Sequence, residues 1–395
     1  MAMLECQPDS HDWVPTPRIQ PQSWRNRAIE SLPLDSIHTS DICQPEQERR
    51  WEETTGVPVA ESSFTLVVPI HNEEHSLPSF LDALLLSDIP ESVPATIIFI
   101  TNACTDSSQH IIRSFMEQWS PAEEMTCVYA PTGQEIRAPK ARKGAMQFVH
   151  FDIPDAGKAN ALTLASHVSH SIGNRILMTH DANVFPEPGA IREMFALTQK
   201  HIISAASPAA VITGEFHGVK RSHTAFMRHV PEQDTGSLRQ RHNKLVGWFL
   251  ACDNEFLQQI GGVPLTSSED YALSLLARLQ ERPVIIAPEV HVWGFVPNNL
   301  HDQVATIVRS SRGKRQLLRM FSDRPDALKM IRHDKQWLSP EQSVRSIMRD
   351  VLAHPEFLPG RIRDLLVITA ANMIALEEDV RNPDNHSWPD IQSTK

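Results

Sequence analysis

Apolar and polar positions change rhythm near residue 60. Residues 1–60 carry many prolines, three tryptophans (Trp13, Trp24 and Trp51) and little periodicity. That reads as an extension wrapped over a neighbouring surface, or as a tail without a packed face. From Phe64 the pattern alternates between short apolar runs and amphipathic stretches. FTLVVPI (64–70), ATIIFIT (95–101), MTCVYA (125–130) and RILMTHD (175–181) read as buried strands, the last ending on polar residues. Ser76–Leu86, Asp106–Trp119 and about Gly157–Ser171 read as helices, with Asp106 near an N-cap. A polar, basic loop is expected after the third strand. Beyond residue 200 the pattern loosens: strands at Leu245–Ala251 and Pro283–Pro288, helices at Asp270–Gln280 and Gln303–Arg319. Two amphipathic helices follow within 339–380, separated by Pro355, Pro359 and Gly360. Strand–helix–strand alternation predicts an α/β fold with a mostly parallel sheet covered by helices, followed by a helical C-terminal region.

Composition narrows the class. The 395 residues are 41% hydrophobic, enough for a sizeable core, and collagen-like, coiled-coil and wholly disordered chains are excluded. Thirty-seven basic against 48 acidic residues, net −11, argue against nucleic acid as a partner held by bulk charge. No apolar run reaches the roughly 18–20 residues of a transmembrane segment, and the N-terminal stretch has no basic start followed by an apolar run. Cys6, Cys43, Cys104, Cys127 and Cys252 are odd in number and form no CxxC pair, so neither a zinc ribbon nor a disulfide framework is expected. A cytoplasmic protein is the resulting expectation.

In an open α/β sheet, ligands bind beyond the carboxyl ends of the strands. Three of the expected strands end on polar residues: Pro69-Ile70-His71-Asn72-Glu73-Glu74, Thr101-Asn102-Ala103-Cys104-Thr105-Asp106, and His180-Asp181-Ala182-Asn183. One such end is ordinary loop chemistry; three in register point to a single polar site.

The segments VVPIHNEEHSL, ITNACTD, GKANAL, HDANVFPEPGAI and GGVP…SSEDYALSLL stand in this order over roughly Phe64–Arg315. Together they resemble the family-2 glycosyltransferases of the GT-A fold. The resemblance implies a Rossmann-like sheet and transfer of a sugar from a nucleotide-sugar, UDP- ahead of GDP-linked, to an acceptor hydroxyl with inversion. It divides the chain into an N-terminal extension (1–60), a nucleotide-sugar half (61–200), an acceptor half (201–320) and a C-terminal helical region (321–395) that packs on the body or makes a homodimer contact.

The same resemblance assigns roles, and each has a plainer alternative. Pro69, His71, Asn72 and Glu73 would line the nucleoside, with Glu73 on the ribose, or form a solvated loop. Asn102 stands where the family often has an aspartate on the base, and its amide can still read a base edge. Asp106 would approach ribose or phosphate, or only cap its helix. Asp181 and Asn183, two oxygen donors two residues apart, would hold Mg²⁺ or Mn²⁺, or cap a turn. The family pattern there is Asp-x-Asp, and the neutral Asn183 lowers the expected metal affinity. Lys158 falls in the first turn of a helix, where a cation opposes the dipole, so a partner is expected: donor phosphates or an acid such as Asp181. Arg137, Lys140, Arg142 and Lys143 would guide an anion or form a solvated loop.

Glu269-Asp270 carry the chemistry in this reading. Asp270 would be the base that takes the acceptor's proton and Glu269 would orient the acceptor or the helix; two acids at a helix N-terminus is the plain alternative. Gly261 and Gly262 would turn tightly beside the acceptor, and Trp248 and Trp293 would stack on a sugar ring or pack in the core. His291 would assist the metal or diphosphate, or be structural. Arg309 and Arg312 would clamp the departing diphosphate, or lie on a solvated face. Thr306 and Ser310 replace the Gln and Trp of the processive Gln-x-x-Arg-Trp segment, which implies a non-processive enzyme. The acceptor is left open: a small molecule, a lipid-linked sugar or a peptide. Asn102 and Asn183 in place of acids also motivate a non-catalytic binding or scaffold protein, and the fold alone leaves room for a retaining nucleotide-sugar transferase.

Overall fold

The computed structural model describes residues 44–129, 133–219, 247–295, 300–333 and 358–381. Ten strands form one sheet: β1 (Phe64–Ile70), β2 (Ala95–Asn102), β3 (Ser120–Tyr129), β4 (Gln134–Lys143), β5 (Met146–Ile153), β6 (Ile176–His180), β7 (Val184–Pro186), β8 (Val211–Val219), β9 (Phe249–Asp253) and β10 (Val284–Phe295). Their spatial order is β3-β4-β5-β2-β1-β6-β9-β8-β10-β7. The centre, β5-β2-β1-β6, is parallel, as the alternating pattern requires. Every residue of β1, β2 and β6 is buried, the signature of parallel strands covered on both faces. Two large apolar clusters, one on each face, hold that sheet.

The helices follow the same logic. They are α1 (Gln44–Thr55), α2 (Leu77–Leu86), α3 (Ser108–Met116), α4 (Lys158–Ser171), α5 (Ala190–Thr198), α6 (Asn254–Gln259), α7 (Glu269–Leu279), α8 (Leu300–Met320), α9 (Pro325–His333) and α10 (Leu358–Arg381). Part of the N-terminal extension does wrap the body. Trp51 of α1 is fully buried, with ring centroids 5.3 Å from Phe195 and 6.1 Å from Phe64, and its indole N–H donates to Ser62 Oγ at 2.8 Å. The α10 helix packs on α8: Ala371 and Ala375 are buried beside Val308, and Arg312 pairs with Glu378 at 3.1 Å. No helix among the described residues is long and apolar enough to cross a membrane.

Three sequence expectations need correction. The basic loop is strand β4, hydrogen-bonded between β3 and β5, so Arg137, Lys140, Arg142 and Lys143 sit on a hairpin. Its polar residues mask a strand because only Ala138 and Ala141 of β4 are buried, too few to make an apolar run. Strand β5 was not anticipated at all: MQFVHFDI carries His150 and Asp152 among its apolar residues, which hides the run. Pro359 and Gly360 do not separate two helices but fall in the first turn of α10, where Pro lacks only an N–H that has no partner there. The expected helix before it lies outside the described residues.

The topology places the site. From β1 the chain moves outward through β2 and β5, then crosses back to β6 on the other side of β1. The strand order therefore reverses between β1 and β6, the position where open α/β sheets bind ligands. β1 pairs with β2 out to Ile70↔Thr101 but with β6 only to Val67↔Thr179. The two strands part at their carboxyl ends, and Pro69, which has no N–H to give, stands where the ladder stops.

Candidate active site

Two loops close one side of this carboxyl edge by binding each other. His71 Nδ1 lies 2.8 Å from the Asn102 carbonyl oxygen. Asn72 takes a left-handed conformation (φ 53°), and its Oδ1 accepts from the Thr105 N–H at 2.8 Å. Asp106 caps α3 by accepting from the Ser108 N–H at 3.0 Å, and it also accepts from the Glu74 N–H at 2.9 Å. Buried Glu73 accepts from Ser76 Oγ at 2.6 Å, at the start of α2. Buried Asn102 accepts from the Gly157 N–H at 3.4 Å. Cys104 packs inward, its thiol reaching the Ile70 carbonyl at 3.4 Å, and burial raises its pKa, which fits a packing residue.

The other side is built around Lys158. The Gly157 φ of 123° lets the chain turn from β5 into α4 and drops Lys158 into the interior, 3% exposed. Its Nζ donates to Asp181 Oδ1 at 2.5 Å and to the Gly247 carbonyl at 2.6 Å, and lies 3.5 Å from Glu269 Oε1. One ammonium thus joins the end of β6, the segment entering β9 and the start of α7. The Gly247 N–H in turn donates to Asp270 Oδ2 at 3.1 Å. A Cβ at Gly247 would stand 3.3 Å from Lys158 Nζ, a tight approach, and 3.5 Å from the Asp270 side chain, an ordinary contact, so the backbone passes close between the two.

Burial sets the protonation of this group. Desolvation lowers the affinity of Lys158 for its proton, but the Asp181 and Glu269 charges outweigh it and hold the ammonium above its ordinary value. Burial pushes the carboxyls of Asp181 and Glu269 up, against the pull of Lys158 and Arg309. Glu269 is buried, whereas Asp270 keeps a solvent-facing side. Helix α7 begins on these acids and gains from both at its positive end.

A second helix backs the pair. In α8, Gln316 accepts at its Oε1 from the Ser267 N–H at 2.8 Å and from Thr266 Oγ1 at 3.2 Å, fixing the turn that leads into Glu269. Gly313 packs so closely on that turn that a Cβ would lie 2.8 Å from Ser268 Cβ. Arg309, two turns before Gln316 and half-buried, acts electrostatically on Asp181 and Glu269. Arg312, on the next turn, is instead buried against Glu378.

The remaining expected residues spread around this centre. Asp181 and Asn183 share one turn, closed by the Val184 N–H on the Asp181 carbonyl at 3.1 Å. The Trp248 carbonyl accepts from the Asp181 N–H at 2.9 Å, while its ring packs on Phe216 with centroids 3.6 Å apart. Trp293 donates to Glu187 Oε1 at 2.7 Å. His291 lies on β10 opposite Glu215, its carbonyl accepts from the Glu187 N–H at 3.2 Å, and the Glu193 carboxyl is within electrostatic reach of it. Gly261 and Gly262 end α6 in left-handed turns, and Gly262 lies against Thr163 of α4. Among the described residues no three His, Cys, Asp or Glu side chains are grouped as a metal site. Asp181 and Asn183 do offer two hard oxygen donors on one turn, a set that suits Mg²⁺ or Mn²⁺ once diphosphate oxygens complete the shell.

Sequence reasoning missed Gly247, Gln316 and Gly313. Gly247 is hidden in the apolar run LVGWFL, and the other two in a basic stretch. No local pattern marks them, because each acts through a residue distant in the chain.

No protein-family model matches the chain, and no curated protein does either. Solved structures do. The mannosyltransferase PcManGT of Pyrobaculum calidifontis, solved with GDP-Man and Mn²⁺, is 16% identical, with a TM-score of 0.53 over 85% of this chain and 94% of that one. A TarS fragment of S. aureus, solved with UDP-GlcNAc, is 12% identical, with a TM-score of 0.40 over 81% of this chain and 92% of that one. The chain shares the α/β fold of the first.

Proposed function

We propose that this chain is an inverting, non-processive glycosyltransferase of the GT-A type, using a nucleotide-sugar donor, UDP- ahead of GDP-linked. The observation that carries the reading is the Lys158–Asp181–Gly247–Glu269–Asp270 constellation at the strand reversal between β1 and β6. The shared fold with PcManGT, a protein solved with a nucleotide-sugar, supports it. Residues 61–200 form the nucleotide half and 201–320 the acceptor half. His71, Asn72, Glu73 and Asn102 border the nucleoside, with Pro69 and Asp106 shaping their loops. Gly261, Gly262, Trp248 and Trp293 are assigned to the acceptor side.

Asp270 is the general base. Of the paired acids it alone faces solvent; the Gly247 N–H holds its Oδ2 at 3.1 Å and the Tyr271 N–H its Oδ1 at 2.8 Å, and the remaining lone pair on each oxygen can take an acceptor hydroxyl. As the acceptor oxygen bonds to the anomeric carbon, its proton passes to Asp270 and the bond from that carbon to the diphosphate breaks on the opposite face. The surplus negative charge of Asp181, Glu269 and Asp270 favours the oxocarbenium character that develops. Asp181 and Asn183 would hold a divalent cation, which supplies positive charge to the leaving diphosphate. Arg309 adds to that charge from α8; Arg312, engaged with Glu378, holds α8 in place.

The test is calorimetric titration with UDP and with GDP, with and without Mn²⁺, followed by transfer assays on the sugar forms of whichever binds. Saturable binding of one nucleotide supports the reading, and no binding of either sinks it. The neutral Asn183 favours one second reading, a binding protein without turnover. Nucleotide binding with no transfer or donor hydrolysis across a sugar panel would select it.

A further inference from the structure

The ammonium of Lys158 carries three protons and has three protein acceptors: Asp181 Oδ1 at 2.5 Å, the Gly247 carbonyl at 2.6 Å and Glu269 Oε1 at 3.5 Å. It is 3% exposed, so it does not reach out to a ligand. It is a fixed positive charge already resting on the acid that would bind a metal. A divalent ion bound by Asp181 would take a carboxylate oxygen at about 2.0–2.2 Å, a few ångströms from that ammonium. The second metal-side residue, Asn183, brings an oxygen but no charge to offset the repulsion. Lys158 bonds Asp181 and the Arg309 charge reaches it as well, so a bare dication would add its charge to two positive groups already there. A diphosphate changes that sum, since its own charges outweigh the lysine.

We propose that Lys158 is the standing cation at Asp181 and bars a bare divalent ion, so that Mg²⁺ or Mn²⁺ enters only together with the diphosphate of a nucleotide. This rests on the nucleotide-sugar reading and adds an order of binding to it. Lys158 is in this view a positioning residue: it holds Asp181 and Glu269 in place and keeps the metal position closed until the donor arrives.

The experiment is Mn²⁺ binding to the full chain, followed by the electron paramagnetic resonance of the free ion, alone and with saturating UDP or GDP, each read against the same Mn²⁺ and nucleotide without protein, because the diphosphate itself binds the ion. Wild type is expected to bind Mn²⁺ at least about tenfold more tightly with nucleotide than without. Lys158→Gln is expected to bind Mn²⁺ without nucleotide at least about tenfold more tightly than wild type, and Asp181→Asn in that background to abolish the gain. Equal saturable uptake by wild type with and without nucleotide overturns the proposal, as does a folded Lys158→Gln that gains nothing. Should Lys158→Gln fail to fold, the wild-type comparison decides alone. If wild type shows no saturable Mn²⁺ uptake with or without either nucleotide while Lys158→Gln still gains an Asp181-dependent site, the nucleotide-sugar reading falls and exclusion of the ion by Lys158 stands.

Discussion

The two ends of strand β6 each carry an ionic cluster around a buried acid, and they are built to opposite rules. At the amino end, Asp253 stands opposite Ile176 and receives two arginines. Arg175 Nε lies 3.2 Å from Oδ1 and Arg282 Nη2 2.6 Å from Oδ2, with Glu255 3.7 Å from Arg175. Two cations meet two acids, Asp253 also caps α6 through the Glu255 N–H, and Arg282 donates to the Pro208 and Ala209 carbonyls and covers the Phe256 ring. This cluster is neutral within itself and its donors are spent on the protein. At the carboxyl end, three acids share Lys158 and Arg309, and one of the acids faces solvent. A balanced cluster ties elements together. An unbalanced one leaves charge for something that arrives later, and that contrast, rather than burial alone, separates scaffold from site.

The contrast breaks most sharply at Asp270. Asp270→Asn keeps the shape and one of the two backbone hydrogen bonds, from Gly247 or from Tyr271, but removes the base, so turnover should fall by roughly 10²–10⁴-fold, or about 3–5 kcal/mol of activation free energy. Nucleotide affinity should hold, as calorimetry beside a transfer assay would show. A variant that turns over normally would remove Asp270 from the chemistry.

Asp253→Ala should do the reverse. It strands two arginines and a helix cap, at a cost of about 3 kcal/mol, discounted because Arg175 is one-third exposed. Thermal denaturation should show the loss, and Mn²⁺ and nucleotide binding by the variant still folded should match wild type. A change in binding as large as the change in stability would mean the two clusters are coupled through β6.

His150 belongs to neither cluster and carries part of the acid response of the scaffold, beside His180, whose pKa burial lowers to about 4 as well. Buried on β5, with Thr101 Oγ1 3.0 Å from its Nε2, it has a pKa lowered to about 4 by burial first and by the Arg113 charge second. Between that value and the ordinary 6.5 the unfolded chain binds the proton that the native state refuses. Its contribution, on the order of a few kcal/mol, is present in full above 6.5 and lost as pH falls toward about 4. His150→Phe should flatten the melting temperature against pH across that window; an unchanged slope would assign the acid response to other groups.

Gly313→Ala gives the smallest expected effect. Alanine favours a helix by about 1 kcal/mol, while its Cβ meets Ser268 at a cost of about 1–3 kcal/mol. Stability should fall by up to about 2 kcal/mol. Turnover should drop more than nucleotide affinity, because the displaced turn leads directly into Glu269-Asp270. Equal losses in stability and turnover would make α8 a packing element only.

Much of the architecture was legible because it rests on local repetition. The fully buried runs of β1, β2 and β6 announce a covered parallel sheet, and the polar residues that end them announce a site at one edge. Strands β4 and β5 were not legible, since their polar residues break the apolar pattern that pairing in the sheet tolerates. Of the candidate residues, Asp181, Glu269, Asp270 and Lys158 could be named from motif order and from the electrostatic awkwardness of a lysine at a helix start. The tertiary structure decided how they are used. It set Lys158 on three protein acceptors, sent Arg312 to Glu378 and brought the Arg309 charge to Asp181, placed His291 on β10 with its carbonyl on the Glu187 N–H, and threaded the Gly247 backbone between Lys158 and Asp270. Periodicity and turn chemistry act over a few residues and can be read in one dimension. Charge pairing and close backbone approach depend on distances between segments tens of residues apart in the chain, and only the folded sheet fixes those.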